Sequence, residues 1–281
     1  MRLSALVPLP AKLFLWEKVT RLKRRMVGGH VEALLANGRN GLLLFDLQDQ
    51  NVGRKLSFAG EYGWDEIERL RGYVTSNTDV LFVGSHVGAI VMPIAQSCRS
   101  VVAVEANPRT FRLLQLNVLL NGCTNVESVN RAASDKEEEL QFLMSRVNPG
   151  GSKRMPKVHK YMYFSDSPEV ITVKASRLDD VLAGRSFDVI FMDIEGSEYF
   201  ALGGMPRLLA AAQVLCMEFV PHHLRNVSGV SVAQLLALIE PYFSKLFIPT
   251  KKLNLSKDQF QSVLQQMYDK DEGDDGIVFT R

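Results

Sequence analysis

Apolar and polar positions along this chain alternate between two rhythms. Four short unbroken apolar runs, Val80-Leu81-Phe82-Val83, Val101-Val102-Ala103-Val104, Val189-Ile190-Phe191-Met192 and Val214-Leu215-Cys216-Met217, have the length of strands buried on both faces. Between them lie stretches with helical spacing. Trp64, Ile67 and Leu70 recur at helical intervals, and Ala89 to Ala95 is helix-like. A third helix is predicted from Asn107-Pro108 to Leu120, with Pro108 at its first position and Asn121-Gly122 ending it. Strands alternating with helices predict an α/β protein with a mostly parallel, doubly wound sheet. Weaker strands are read at Val126 to Val129 and Leu140 to Leu143. Gly41 to Asp46 and Lys55 to Phe58 read as two short strands joined by a polar turn. Residues 1–60 are therefore taken as an N-terminal helix and small β extension, and 61–281 as the main domain. The least regular stretch, 147–169, mixes Lys153, Arg154, Lys157, His159, Lys160, Tyr161 and Tyr163. It reads as a lid loop over an anionic or sugar-like ligand, or as a solvated flap.

The ends of the apolar runs carry the chemistry. The first gives way to Gly84-Ser85-His86-Val87-Gly88, a strand–turn–helix junction whose glycines permit positive φ and whose helix start offers free N–H groups. About twenty residues on, the second run delivers Glu105, followed by Ala106 and Asn107; an acid at that spacing suits the hydroxyls of a ribose. The third strand's end brings Asn130, Arg131 and Ala132 to the same edge. The glycine pattern is G-x-x-x-G, not G-x-G-x-x-G, and no phosphate-binding loop is present. That disfavours a dinucleotide, ranks a dehydrogenase low, and favours S-adenosylmethionine, which has no phosphate. An ordinary βαβ unit with an incidental acid is the plainer reading. Beyond the third apolar run come Asp193, Glu195 and Glu198, three carboxylates within six residues. Such a group is costly unless solvated, paired or used. The fourth run leads to Glu218, His222 and His223.

Composition narrows the picture without redirecting it. The 281 residues are 46% hydrophobic and 23% charged, which suits a soluble globular domain with an appendage. A net charge of +2 gives no field drawing the chain to nucleic acid, so none is expected as partner. Three scattered cysteines, Cys98, Cys123 and Cys216, fit a reducing cytoplasm and no metal-ligand spacing. No apolar run reaches eighteen residues, so no membrane span is expected. Leu13, Trp16, Val19 and Leu22 can form one helix face, with Lys18, Arg21 and Arg25 off it. Residues 11–25 thus offer either a helix docked on the domain or a weak peripheral membrane contact.

Several of these segments together resemble one family. Asp79 to Gly88, Val104 to Pro108, Leu119 to Gly122, Val126 to Asp135, Leu178-Asp179-Asp180 and, most specifically, Met192-Asp193-Ile194-Glu195-Gly196-Ser197-Glu198 are similar to an FkbM-type S-adenosylmethionine-dependent methyltransferase. The closing segments Tyr242 to Ile248 and Gly276 to Phe279 stand where that family has its last antiparallel pair. The resemblance implies a seven-stranded class I methyltransferase (Rossmann-like) sheet, and methyl transfer to a small molecule or sugar, most often at a hydroxyl. This sequence departs from the family at two positions. Phe82 stands where an acid is usual two residues before the first glycine, and Phe191 where a lysine is usual two residues before Asp193. His86 likewise replaces a common Asn.

The expected catalytic residues are Asp193, Glu218 and His222, with His222 or Asp193 as the base that takes the acceptor's proton. The expected cofactor contacts are Gly84, Ser85, His86, Val87, Gly88, Glu105, Ala106, Asn107, Asn130, Arg131, Ala132 and Asp193. Asp193, Glu218 and His222 also have the chemistry of divalent-metal ligands, but strand-end spacing fixes no geometry and no metal is assigned. The blander reading makes His222 and His223 a loop pair and Glu198 a first-turn helix carboxylate. The functional alternative, suggested by Phe82 and Phe191, is a degenerate module that binds a nucleoside or partner without turnover.

Overall fold

The structure of the chain, a computed structural model, describes residues 18–281 except 20, 21 and 24. Leu13, Trp16 and Arg21 of the expected amphipathic face thus lie outside the described residues; of the rest, Val19 is partly buried and Leu22 exposed. An antiparallel hairpin of β1 (Ala33–Gly38) and β2 (Gly41–Asp46) opens the fold. The main sheet is built from β3 (Asp79–Val83), β4 (Ser100–Glu105) and β5 (Val126–Asn130). The chain then leaves it for a second sheet of β6 (Ala132–Ala133), β7 (Glu138–Met144), β8 (Lys153–Arg154) and β9 (Glu169–Ser176). It returns through β10 (Val189–Met192), β11 (Val214–Phe219), β12 (Lys245–Ile248), β13 (Leu253–Ser256) and β14 (Asp274–Thr280).

The main sheet has eight strands in the order β13-β12-β14-β11-β10-β3-β4-β5. The five strands β11, β10, β3, β4 and β5 run parallel, and β14 is antiparallel to both its neighbours. The expected seven strands are all present. The eighth, β13, pairs antiparallel to β12 and extends that edge.

Strand alternation divides the core. Leu81, Val83, Ile190, Met192, Leu215 and Met217 face one buried layer, while Val80, Phe82, Val189, Phe191 and Cys216 face the other. With both faces covered, the continuous apolar runs of the sequence are explained.

Two local expectations change. Lys55 to Phe58 is not a strand but part of a helix, Val52–Ala59, ended by Gly60 in the left-handed region at φ 72°. Val52 and Leu56 bury one face, whereas Phe58 is 81% exposed. Four residues alternating in polarity fit either period, and the longer apolar repeat of four decided it. The helix after Gly88 is shorter than expected, Val91–Ala95, because the chain makes two turns between Gly84 and Ile90 first. The helix Pro108–Leu120 forms as expected. It also anchors the hairpin: the buried Asn117 side chain exchanges hydrogen bonds with the Leu44 backbone at 2.7 and 2.9 Å, and Asn121 does the same with Leu42 at 3.0 and 2.8 Å. The stretch 147–169 is ordered through a 3-10 turn (Pro149–Gly151), β8 and a short helix (Tyr161–Phe164). Among the described residues no helix is long and apolar enough to cross a membrane.

Candidate functional site

The carboxyl ends of β3, β4 and β10 converge at one edge of the main sheet. Gly84 takes φ +89°, and a Cβ there would overlap the Asp193 carbonyl oxygen. Glycine therefore lets the tips of β3 and β10 touch. At Gly88, φ +88°, a Cβ would run into Met92 and Leu114. Packing within the chain accounts for both glycines. Between them His86 also lies in the left-handed region, at φ 48°, a conformation that costs energy for a residue with a Cβ.

That conformation aims the His86 backbone N–H at Glu105, whose Oε2 accepts it at 2.8 Å while Oε1 accepts from the Asn107 N–H at 2.8 Å. Burial pushes the Glu105 carboxyl up to about 7, partly opposed by these N–H donors. Each oxygen keeps a lone pair for a further donor. Asn107 itself caps the helix Pro108–Leu120, accepting from the Arg109 and Thr110 N–H groups.

Around Asp193 the site is richer in charge. The pairing of Met192 with Met217 puts Asp193 and Glu218 at the same level of adjacent strands. The register of β11 against β14 slips between Met217 and Phe219, a bulge that re-aims Glu218. Asp193 Oδ1 is buried with no hydrogen-bond partner. Burial first, then the charge of Glu195, raises the Asp193 carboxyl well above its ordinary range. Glu195 is a second left-handed residue, φ 55°. Glu198 Oε1 accepts the Ile194 and Gly196 N–H groups at 3.1 and 3.2 Å, so it braces the turn that presents Asp193 and Glu195. Burial moves the Glu198 carboxyl up to about 7.

The structure gathers a different group here from the one expected. Glu195, Glu218 and His223 bring one ligand atom each to within 4.8 Å of one another. His223, not His222, faces Glu218, Nδ1 to Oε2 at 3.3 Å. His222 turns the other way, with Nδ1 3.1 Å from the Tyr163 hydroxyl. The short helix Pro221–His223 sends the two rings apart, edge to face at 81°. Lys153, from β8, reaches into this group: its Nζ lies 2.8 Å from Glu195 Oε2 and 3.0 Å from His223 Nε2. Burial alone would lower the Lys153 pKa, but the Glu195 carboxylate and then Glu218 carry it above the ordinary lysine value. Burial and the neighbouring ammonium drive His223 far down, so its ring is neutral.

A cleft of about 1050 Å³ opens against this edge. Gly84, Ser85, His86, Glu105, Ala106, Arg131, Ala132 and Asp193 line it, joined by Tyr62, Phe142, Arg154 and Glu195, which the sequence reading did not select. Val87 and Asn107 lie instead on a second cavity of about 850 Å³, with His86 in the wall between the two. Gly88, Asn130, Glu218 and His222 line neither cavity. Asn130 spends its side-chain N–H groups on the Glu105 and Ala106 carbonyls at 2.8 and 3.3 Å.

The two departures from the family pattern prove to be one contact. Phe82 and Phe191 are register partners across β3 and β10, both almost fully buried, with ring centroids 5.2 Å apart. An acid and a lysine at these positions would face each other, so replacing both together leaves no orphaned charge.

The cleft suits S-adenosylmethionine. Glu105 has lone pairs for ribose hydroxyls, Leu140, Phe142 and Ile194 offer an apolar wall for a base, and the unpartnered Asp193 Oδ1 awaits a donor or cation. Strand order β5-β4-β3-β10-β11-β14-β12 with one reversed strand, and this cleft at its carboxyl edge, define a class I methyltransferase fold. The chain belongs to the FkbM methyltransferase family: the methyltransferase FkbM domain matches residues 83–249. Among curated proteins none matches the sequence. Similar solved structures include the methyltransferase FkbM from Methylobacillus flagellatus KT, at 14% identity and TM-score 0.41, over 73% of this chain and 44% of that one. Trm5b from Pyrococcus abyssi aligns at 13% identity and TM-score 0.43, over 78% of this chain and 50% of that one. A TehB-like SAM-dependent methyltransferase from Corynebacterium glutamicum ATCC 13032 Kitasato aligns at 12% identity and TM-score 0.43, over 81% and 93%. The chain thus spans about half the length of the first two.

Proposed function

We propose that the protein binds S-adenosylmethionine in the cleft between Glu105 and Asp193 and methylates a hydroxyl of a sugar or other small metabolite. The observation that carries this reading is the buried, unpartnered Asp193 oxygen facing the same cleft as Glu105. When bound, the cofactor supplies a methyl group on a cationic sulfur. Glu105 accepts the ribose hydroxyls, and the turn through Gly84 and His86 holds Glu105 in place by the His86 N–H. Asp193 orients the acceptor hydroxyl and takes its proton as the oxygen–carbon bond forms. Its raised pKa makes it a stronger base than an ordinary carboxylate. Glu218 and His222 act from behind this front, since neither lines the cleft.

Arg131, Arg154 and Tyr62 give the acceptor side hydrogen-bond donors that suit a polyhydroxylated molecule. Calorimetry with S-adenosylmethionine and S-adenosylhomocysteine, followed by methyl-transfer assays on sugars, small phenols and tRNA, tests the reading. Binding of both nucleosides with transfer to a small hydroxyl supports it. Binding without turnover favours the degenerate module that Phe82 and Phe191 suggest, and transfer to tRNA overturns the acceptor assignment.

A further inference from the structure

Behind the cleft, Lys153 occupies the centre of a group of side chains that has the chemistry of a metal site. Two carboxylates and one neutral imidazole offer the mixed oxygen and nitrogen donors that divalent manganese or zinc takes. Their ligand atoms lie within 4.8 Å of one another, a spread that one ion with bonds of about 2.0–2.3 Å can bridge. The Lys153 ammonium sits 2.8 Å from one of these atoms and 3.0 Å from another, leaving no room for an ion beside it. His223 has the tautomer a metal ligand needs: Nδ1 faces Glu218 as donor, and Nε2 carries the lone pair now directed at Lys153. This lysine is 8% exposed, and it comes from β8, a two-residue strand held only by the edge of β7. Its neighbour Arg154 turns the other way to Glu138 at 2.9 Å.

We propose that Glu195, Glu218 and His223 form a divalent-cation site whose seat is filled by the Lys153 ammonium, so that Lys153 and a metal ion are alternative occupants. In the chain as it stands, the lysine supplies the positive charge that holds Glu195 and His223 in place, and it pins β8 to the turn after β10. Withdrawing the ammonium should uncover the metal site. The inference is independent of the methyltransferase reading, because it is read without nucleoside or acceptor.

The test is titration of the full chain with manganous chloride at neutral pH, followed by electron paramagnetic resonance, for the natural protein and for Lys153→Ala. The variant should bind one ion at least ten-fold more tightly than the natural chain, and its pulsed spectrum should carry the nitrogen coupling of one imidazole. Equal affinity in the two proteins overturns the proposal, as does a folded variant that binds no ion or binds one without nitrogen coupling. Should Lys153→Ala fail to fold by circular dichroism, refolding it with manganous ion should recover the native spectrum. Failure to recover it overturns the proposal equally.

Discussion

Two halves of the cleft solve the same problem, a carboxylate out of water, in opposite ways. At the β4 end, Glu105 is satisfied by backbone N–H groups from His86 and Asn107. One donor is two residues away in sequence and the other lies on the neighbouring strand's turn. At the β10 end, Glu195 and Glu218 depend on side chains, Lys153 from the inserted sheet and His223 from beyond β11. Backbone donors are fixed by the fold and cannot leave. Side-chain donors are replaceable, so the second half is where chemistry, and substitution, have room to act. The difference teaches that the two ends should respond differently to single changes.

The sharpest break should come at Asp193. Asp193→Asn should lower kcat by about 10²- to 10⁴-fold, the worth of a positioned base, while S-adenosylhomocysteine affinity by calorimetry changes only a few-fold. An equal loss in both would mean that the two ends are not separable. Next, Phe82→Asp should destabilise the fold by about 3–5 kcal/mol in urea unfolding, because it buries an unpaired charge, and adding Phe191→Lys should restore part of the loss. No recovery in the double variant would show that the two positions do not act as one pair.

A smaller effect is expected at the β4 end. Glu105→Gln should weaken S-adenosylhomocysteine by about 10- to 100-fold, the value of hydrogen bonds to a charged acceptor, with a modest change in kcat at saturation. Its pH signature comes from the sign of the shift. The Glu105 carboxyl is raised to about 7, so it is protonated below that pH and a poorer acceptor. Affinity should therefore climb as pH rises through about 7 in the natural chain and flatten in Glu105→Gln. The folded state alone behaves conversely: burial raises the carboxyls of Glu66, Glu105 and Glu198 from 4.5 to about 7, so stability should fall as pH climbs between those values. Unfolding midpoints measured from pH 4.5 to 8 check this. The least effect, about 1 kcal/mol, is expected for Asn121→Ala, which removes the hairpin's anchor and leaves both ends of the cleft intact.

The same contrast explains how much was legible in the sequence. The parallel strands, the glycine turn, Glu105 and Asp193 were readable because each belongs to a local pattern: a buried apolar run and the residues at its carboxyl end. Lys153 was not. It lies in a stretch with no period, and its partners stand 42 and 70 residues further on. His223 and His222 are adjacent in sequence, and only the turn of the helix Pro221–His223 decides which ring faces Glu218. The bulge at Glu218 and the pairing of Phe82 with Phe191 depend on strand register, which a single sequence does not state. Asn130 and Asn107 sit at the expected strand ends, yet backbone groups claim their side chains first.

One side chain, His86, is all that parts the larger hollow from the smaller. Its ring nitrogens touch nothing polar, so the imidazole behaves there as a plug of fixed thickness and not as a tether. Shaving it to a methyl group would join the chambers into one corridor running from the Asp193 tip to Arg109 and Arg146, long enough to admit an extended molecule that the intact partition turns away.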